Sequence, residues 1–305
     1  MRVWGMMLLA AGAAACSGGG SGRVDSGVIG EQCQPGGTFA PLTGRAAVKA
    51  TLNVDIDAEG LVQAPATAEL LLLMDAVQDG TAVDVQARLC AIKLPEVPLS
   101  GQEEPIRLSI SDATVASVGT VSGGGVLSSA DQTCATFDTD EFTIVIGAIL
   151  DPAETAMLPQ ADDQGDFAYC APTADTACPL AIGVNCACDQ EGDAEAGATL
   201  GISGVPLVEL DRVYATMRTR FALRGQVFDT DKILGEIDAT IEQGILGCHL
   251  QAGDPCTADQ IGTVKTLNPT ITQQPGNPST FRAARIEETV ECAEVIERQD
   301  ELFPR

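Results

Sequence analysis

Hydrophobic and polar residues alternate along much of the chain, and this period of two is typical of a half-buried β-strand. Apolar side chains occupy every second position over residues 46–57, and the same parity returns over residues 62–72 after a turn at 58–60. Shorter alternating runs predict three further strands, around residues 81–90, 105–110 and 141–147. The pattern therefore predicts a mainly β protein in which one face of each strand is buried.

The clearest predicted hairpin joins residues 213–227 to residues 233–241, because apolar residues take most odd positions in both runs. Residues that face each other must lie on the same side of the sheet, so odd positions must pair with odd positions and the turn must hold an odd number of residues. A three-residue turn at 229–231 satisfies this condition. The resulting register makes four pairs: Leu223 with Ile237, Phe221 with Ala239, Arg224 with Glu236 and Arg218 with Glu242.

The polar side of this hairpin carries a candidate anion-binding stripe of four arginines: Arg212, Arg218, Arg220 and Arg224. In the predicted register, acidic residues of the neighbouring strand face two of them. A cross-strand ion pair contributes roughly 0.2–1 kcal/mol, so the apolar side sets the register and the charges agree with it. We interpret the arginines as neutralised by the adjacent acids rather than as an anion site.

A stretch of different composition interrupts the β pattern at residues 151–205, which are rich in Asp, Ala and Gly and contain four cysteines. Such a composition cannot build a core by itself, so disulfides must hold it. We therefore predict a β domain of residues 44–250 that contains a cysteine-rich acidic insertion.

The C-terminal part, residues 251–305, is predicted to be a helical extension packed on the β domain. Thr257 and Gln260 form a capping box that opens a short helix ending near Leu267. After a turn at 275–279, apolar residues recur at helical spacing and predict an amphipathic helix over 288–303. Cys292 is expected to attach this last helix to the β domain.

The N-terminus has the features of an export signal over residues 1–15: one positive charge, a short apolar stretch and small residues at its end. The sequence Ala-Ala-Ala-Cys at residues 13–16 resembles the lipobox of bacterial lipoproteins. This resemblance implies cleavage before Cys16, lipidation of Cys16 and attachment to a membrane. An ordinary signal peptide that is cut after Ala15 is the alternative.

The residues after the signal predict how the exported protein is held in the cell envelope. Residues 16–43 follow as a lipidated cysteine and a flexible tether. Ser17 stands where a retention signal of inner-membrane lipoproteins has aspartate, so the resemblance points to the outer membrane. We expect a binding partner in the cell envelope, either a protein or an apolar small molecule, whose identity the sequence does not give.

The cysteine count agrees with export. Of 11 cysteines, Cys16 is the anchor, and the remaining ten are enough for five disulfides in an oxidising compartment. The disulfide candidates are Cys33, Cys90, Cys134, Cys170, Cys178, Cys186, Cys188, Cys248, Cys256 and Cys292. Two pairs share the same short gap and are the best local candidates: Cys170–Cys178 and Cys248–Cys256. Cys186 and Cys188 are too close to pair with each other.

The charge balance excludes one class of partner. The chain has 43 acidic and 17 basic residues and a net charge of -26, whereas binding to nucleic acid needs a basic surface. The sequence also contains no apolar run of roughly 18 residues that would predict a membrane-spanning helix.

One acidic loop resembles the calcium-binding loops of extracellular repeat proteins. Oxygen ligands on a loop that contains glycine suit a hard cation such as Ca²⁺, and here they are Asp189, Glu191, Asp193 and Glu195. The alternative is a solvated acidic loop. A second partial match at residues 55–60 is explained by the predicted hairpin turn.

Catalytic signals are weak. The single histidine, His249, could act as a base for Ser128 or Ser129, but no nucleophile-elbow motif is present. A zinc site is not expected, because the chain has one histidine and no CxxC motif. A catalytic cysteine is not expected either, because the even number of cysteines after Cys16 leaves no free thiol. We therefore expect no enzyme and no cofactor, with Ca²⁺ as the one candidate ion.

These observations combine into one expectation of fold and role. The fold is predicted to be a disulfide-stapled antiparallel β barrel or sandwich with a cysteine-rich acidic insertion and a C-terminal helix. The role is predicted to be that of a lipid-anchored, non-catalytic binding or structural module. A barrel that carries an apolar ligand in its interior is the alternative, because small and medium apolar residues line the strands. An envelope hydrolase ranks below both.

Overall fold

The computed structural model describes residues 31–58, 62–97, 104–172, 178, 184–204, 210–266 and 268–304. The predicted signal sequence, Cys16 and most of the tether lie outside the described residues. The strands are β1 Gly44–Ala58, β2 Val62–Asp79, β3 Ala82–Lys93, β4 Glu96–Val97, β5 Ile106–Ile110, β6 Val121–Leu127, β7 Thr136–Thr139, β8 Phe142–Ile146, β9 Ala148–Ile149, β10 Cys186–Ala187, β11 Ala198–Ser203, β12 Leu210–Asp229, β13 Lys232–Leu250, β14 Thr270–Gln273 and β15 Thr280–Ile286. The helices are α1 Asp112–Ser117, α2 Ala258–Thr266, α3 Cys292–Glu297 and α4 Gln299–Leu302. The prediction of a mainly β fold is confirmed.

Eight antiparallel strands close into a barrel in the order β1–β2–β3–β6–β7–β12–β13–β15, and β15 pairs back onto β1. A row of paired residues that starts at Glu69 on β2 passes once around the ring and returns to β2 at Asp79, a stagger of ten residues. For eight strands, such a stagger corresponds to a strand tilt of roughly 40°. The choice between barrel and sandwich is thereby decided in favour of the barrel.

The barrel strands extend beyond the ring at one end. The long strand β12 is partnered in turn by β7, β8 and β11, and β11 continues through β5 to β4. At the same end β14 pairs with β1. This extension carries the structures that are not part of the ring, including the disulfide-rich lobe described below.

The predicted register of the β12–β13 hairpin is confirmed at all four pairs, including Leu223 with Ile237 and Arg218 with Glu242. The turn differs in detail from the prediction. A two-residue turn at Thr230–Asp231 follows a bulge between Val227 and Asp229, so the extra residue sits in the strand rather than in the turn. The first hairpin also keeps its predicted parity, with Val54 opposite Ala66, although residues 59–61 lie outside the described residues.

The interior of the barrel is filled by side chains. Phe142, Phe221 and Phe281 are each 1% exposed, and the rings of Phe142 and Phe221 stack with their centroids 5.3 Å apart. Glycine makes room for these rings, because a Cβ on Gly123 would lie 2.8 Å from Phe142 and one on Gly235 would lie 2.7 Å from Phe281. The core is therefore packed around aromatic rings and not open.

The C-terminal region corrects the prediction of a helical extension over 251–305. The short helix predicted at 257–267 is present as α2, but residues 270–273 and 280–286 are strands of the sheet. The helix predicted over 288–303 begins only at Cys292 and is interrupted at Arg298, which separates α3 from α4. The physical reason is that β15 fills the gap between β1 and β13 and closes the barrel.

The last helices cover the outside of the barrel, where a second apolar cluster forms. Val290, Val295 and Phe303 pack there on Leu71 and Leu73, outward-facing residues of β2. A disulfide between Cys90 and Cys292 joins α3 to β3, as predicted for Cys292. None of the helices within the described residues has the length and apolar character needed to cross a membrane.

The N-terminal segment 31–43 closes the end of the barrel at which the β2–β3 and β12–β13 turns lie. Phe39 is buried with the barrel core, and its backbone N–H donates to the carbonyl of Asp131. A disulfide between Cys33 and Cys134 holds the start of the segment. The predicted tether is thus ordered from Glu31 onward and joins the barrel at this end.

Candidate functional site

The ten cysteines that follow Cys16 form five disulfides, as predicted. The predicted pair Cys248–Cys256 is confirmed. The predicted pair Cys170–Cys178 is wrong: the disulfides are Cys170–Cys186 and Cys178–Cys188. The reason is a backbone pairing that brings distant residues together, since the N–H of Cys170 donates to the carbonyl of Ala187 over 2.9 Å.

These two disulfides build a lobe on the extended end of the barrel. Cys186 and Ala187 form β10, which pairs with β9, and the sulfur atoms cluster around Ile149. The lobe runs from β9 to the start of β11 at Ala198, so the predicted insertion 151–205 ends earlier than expected. The acidic loop 189–195, the candidate calcium site, leads from this lobe back into the sheet.

Asp189 organises the loop from inside. Its side chain is 7% exposed, and its two carboxylate oxygens accept three backbone N–H groups, from Gly192 at 2.6 Å, Asp193 at 3.1 Å and Ala194 at 2.8 Å. A buried carboxylate needs such donors to offset the loss of hydration. Asp189 therefore closes the loop with its own backbone.

The next acid, Glu191, ties the loop to two other elements. One carboxylate oxygen accepts the backbone N–H of Thr199 on β11 over 2.6 Å. The other accepts the hydroxyl of Ser111 over 3.2 Å and that of the fully buried Thr114, both at the start of α1. Glu191 thus links α1 to β11 through hydrogen bonds from both elements.

The last two acids face different neighbours again. Asp193 accepts the backbone N–H of Glu195 over 2.9 Å and the hydroxyl of Thr199 over 2.6 Å. Glu195 points to His249 on β13, with 3.8 Å between carboxylate oxygen and Nε2. The four predicted calcium ligands are therefore neighbours in the chain whose carboxylates have different partners: Asp189 binds the loop backbone, Glu191 and Asp193 share Thr199 of β11, and Glu195 faces His249.

No three His, Cys, Asp or Glu side chains are arranged to hold a metal ion in the part of the chain that the structure describes. The hydrogen bonds of Asp189, Glu191 and Asp193 account for the loop conformation with protein donors alone. Calcium binding stays a prediction from the sequence.

Tyr214 lies beneath this loop and was not singled out by the sequence. It is 4% exposed, its ring meets the His249 ring edge-on at 5.3 Å, and its hydroxyl has no hydrogen-bond partner. Burial raises the pKa of the Tyr214 hydroxyl to about 12, and the carboxylates of Glu195 and Asp193 add to the rise against the opposing effect of Arg212. Tyr214 stands at an outward position of β12 between Arg212 and Thr216, and its aromatic ring is the one sequence feature that could have marked it.

This burial gives a measurable titration. Since the folded-state pKa of about 12 exceeds the ordinary value near 10, the folded protein keeps the Tyr214 proton longer than the unfolded chain does. Stability should accordingly fall as the pH rises from about 10 to about 12. We expect the tyrosine absorbance of the folded protein to show a group titrating near pH 12, which Tyr214→Phe removes. Tyr169→Phe is the control and should leave that group in place; an unchanged titration near pH 12 in Tyr214→Phe would contradict the assignment.

Three of the four arginines of the stripe lie beside acids, but Glu242 of the neighbouring strand β13 pairs with only two of them, Arg218 and Arg220. Arg218 is 6% exposed, forms an ion pair with Glu242, and donates to the carbonyls of Ala153 at 3.1 Å and Ala156 at 2.6 Å. These bonds dock the start of the lobe onto β12. Arg220 lies within 3.7 Å of Glu141 and 3.9 Å of Glu242, and Arg212 within 2.8 Å of Asp211. The fourth arginine, Arg224, faces Glu236 in the register and is exposed.

The barrel itself contains a cavity of about 60 Å³ at the end closed by the N-terminal segment. Apolar side chains such as Met74, Phe137 and Leu223 line it, with Arg45 and Lys232 at its rim. Both cations are engaged, Arg45 with Asp75 over 2.7 Å and Lys232 with Glu31. A water molecule takes about 30 Å³, whereas pockets for organic ligands measure roughly 300–1,000 Å³. The cavity is therefore of water size.

Ser128 and His249, the candidate nucleophile and base from the sequence, lie at opposite ends of the β12–β13 hairpin. Ser128 lies beside Thr136 near the turn end of β12, where its hydroxyl accepts the Thr136 N–H over 2.8 Å. His249 pairs with Arg212 at the opposite end. The two side chains cannot meet in one site.

Comparison with known proteins finds no matching family model, no matching curated protein and no matching solved structure.

Proposed function

We propose that the protein is an exported, lipid-anchored protein of the cell envelope, held in the outer membrane through Cys16, in which the barrel serves as a non-catalytic binding or structural module. The resemblance of residues 13–16 to a lipobox supports the anchor. The five disulfides support export to an oxidising compartment.

The observation that carries the proposal is the filled barrel. Three phenylalanine rings occupy its middle, and the cavity at the end closed by residues 31–43 measures about 60 Å³. A carrier of an apolar ligand would need several times this volume. A barrel packed in this way presents its outer surface and its lobe to partners, and this is what a binding or structural module requires.

The lipid anchor fits the way in which the chain enters the barrel. The described chain starts at Glu31 and is fixed within a few residues by the disulfide between Cys33 and Cys134. A lipid on Cys16 would therefore tether the end of the barrel closed by residues 31–43. The lobe lies on the extended end, away from this attachment.

Mass spectrometry of the protein purified from its membrane, under native and then denaturing conditions, tests both parts of the proposal. We expect the denatured mass to start at Cys16, to include a covalent lipid and to lack ten protons because of five disulfides. We expect the native mass to equal the denatured mass, because no organic ligand is bound. Cys16→Ser is the control and should lose the lipid without losing the disulfides.

The other outcomes are separable. A native mass excess of a ligand that vanishes on denaturation would establish the carrier. Calcium adducts of defined number that Asp189→Asn removes would establish the calcium loop. A denatured mass without lipid, starting after Ala15, would overturn the anchor and leave the argument from the filled barrel intact.

A further inference from the structure

Four neighbouring barrel strands, β2, β3, β6 and β7, present an outward surface on which valines alternate with aspartates. In one row of paired residues, Asp79 faces Ala82, Ala82 faces Val126, and Val126 faces Asp138. In the next row, Val77 faces Asp84 and Asp84 faces Gly124, whose carbonyl accepts the N–H of Asp140. We call these eight residues the valine–aspartate face.

The apolar part of this face is open to solvent. Val77 is 59% exposed and Val126 is 60% exposed, more than any other large hydrophobic side chain of the described residues except Met157. Val126 stands opposite Ala82, and these two side chains form a small apolar patch with Asp79 and Asp138 at its ends. Val77 stands opposite Asp84, and beyond Asp84 a carboxylate oxygen of Asp140 lies 2.8 Å from the position that a Cβ on Gly124 would take. Apolar and acidic side chains therefore interleave across the face.

The acidic part of the face is not neutralised. Asp79, Asp84, Asp138 and Asp140 are all exposed, and none of them makes an ion pair with a described residue. Some other acids on outward strand positions are paired, such as Asp75 with Arg45 and Glu242 with Arg218. The cation at the border is Arg224, which faces Asp138 across the β7–β12 pair without an ion pair to it. The register pairs none of the four aspartates with another aspartate, so a cation of a partner can approach each carboxylate separately.

We propose that the valine–aspartate face is the surface through which the protein binds its partner, and that this partner is a protein segment in which lysine or arginine side chains flank small apolar ones. Cations of such a segment meet the four carboxylates, and its apolar side chains cover Val77 and Val126. Charge complementarity steers the encounter, and burial of the valines supplies the non-directional attraction. This inference rests on the proposed role as a binding module, but not on the lipid anchor.

A defined probe tests the proposal: a twelve-residue peptide in which lysine and valine alternate, added to isotope-labelled oxidised protein at physiological salt and followed by amide chemical shifts. We expect the shifted amides to lie in β2, β3, β6 and β7 around the eight residues of the face. The double variant Asp84→Asn/Asp138→Asn should weaken binding at least tenfold. Its matched control is Asp163→Asn/Asp238→Asn, which removes the same charge from exposed acids elsewhere and should weaken binding less than twofold.

Two further comparisons keep the apolar and electrostatic parts distinct. A lysine–glycine peptide of equal charge should bind at least fivefold more weakly, since it cannot cover the valines. Val77→Ser/Val126→Ser should reduce binding of the lysine–valine peptide to the level of the lysine–glycine peptide. Shifts spread evenly over the acidic surface, or equal losses in the two aspartate double variants, would overturn the proposed face. Neither result would contradict the proposed function, since the filled barrel and the lipid anchor are tested separately by mass spectrometry.

Discussion

Replacement of Cys90 and Cys292 by alanine is expected to lower the free energy of unfolding by about 5 kcal/mol. Their disulfide joins residues 202 positions apart. In the loop-entropy description, a cross-link over such a span restricts the unfolded chain more than a short one does. Its loss also releases α3 from β3, where Val290, Val295 and Phe303 cover outward-facing leucines of β2. Urea unfolding of the oxidised protein measures the change.

The matched control is the double variant Cys248→Ala/Cys256→Ala, which removes the disulfide that spans eight positions. The same description gives about 2.5 kcal/mol for this short loop. Equal losses in the two double variants would contradict the long-range role of the Cys90–Cys292 bond. Proteolysis offers an independent readout, because the C-terminal segment should become cleavable in the first variant and stay protected in the second.

Truncation of Phe221 to alanine is expected to cost about 3–5 kcal/mol, the range for a fully buried phenylalanine. Phe221 is 1% exposed and stacks on Phe142 in the middle of the barrel, so its removal leaves a cavity that rigid strands cannot collapse. Phe228→Ala is the matched control on the same strand, since Phe228 is only half-buried beside the hairpin turn, and it should cost less than about 1.5 kcal/mol.

This comparison also bears on the proposed function. A hollow barrel would tolerate the loss of an interior ring and could bind an apolar molecule in its place, whereas a packed barrel loses stability in proportion to the cavity. A cost below about 1 kcal/mol for Phe221→Ala, or a cost equal to that of Phe228→Ala, would therefore count against the filled interior as well as against the stability estimate.

Alternation in the sequence predicted the strands that have one apolar and one polar face, and it missed others for identifiable reasons. Strand β6 contains three consecutive glycines, Gly123 to Gly125, which hide its alternation. Gly123 and Gly125 make room for aromatic rings from β8 and β7, a need that appears only when the strands are side by side. Strand β15 does alternate, with Phe281 and Ala283 inward, but Ile286 and Val290 after it extend the apolar spacing into a helical pattern.

In the candidate site, too, the sequence pattern predicted some features and only the tertiary contacts revealed others. The acidic residues of the loop at 189–195 were found from their spacing, but two of their neighbours, Ser111 at the start of α1 and His249 on β13, are distant in the chain. Tyr214 was missed because nothing in the sequence shows that the lobe folds over the outward side of β12. The pairing of Cys170 with Cys186 escaped prediction for the same reason, since it depends on the contact between Cys170 and Ala187.

The sequence by itself determined the β class, the register of the long hairpin and the fact that ten cysteines form disulfides, but not which cysteines pair. Each of these follows from a local rule: parity along a strand, parity across a turn, and an even count of thiols in an oxidised chain. Tertiary structure alone decided that the strands close into a barrel, that β15 completes it, and that valines and aspartates of four strands form one face. These depend on which distant segments pair, and that choice is made by burial of the whole core at once rather than by any short stretch of sequence.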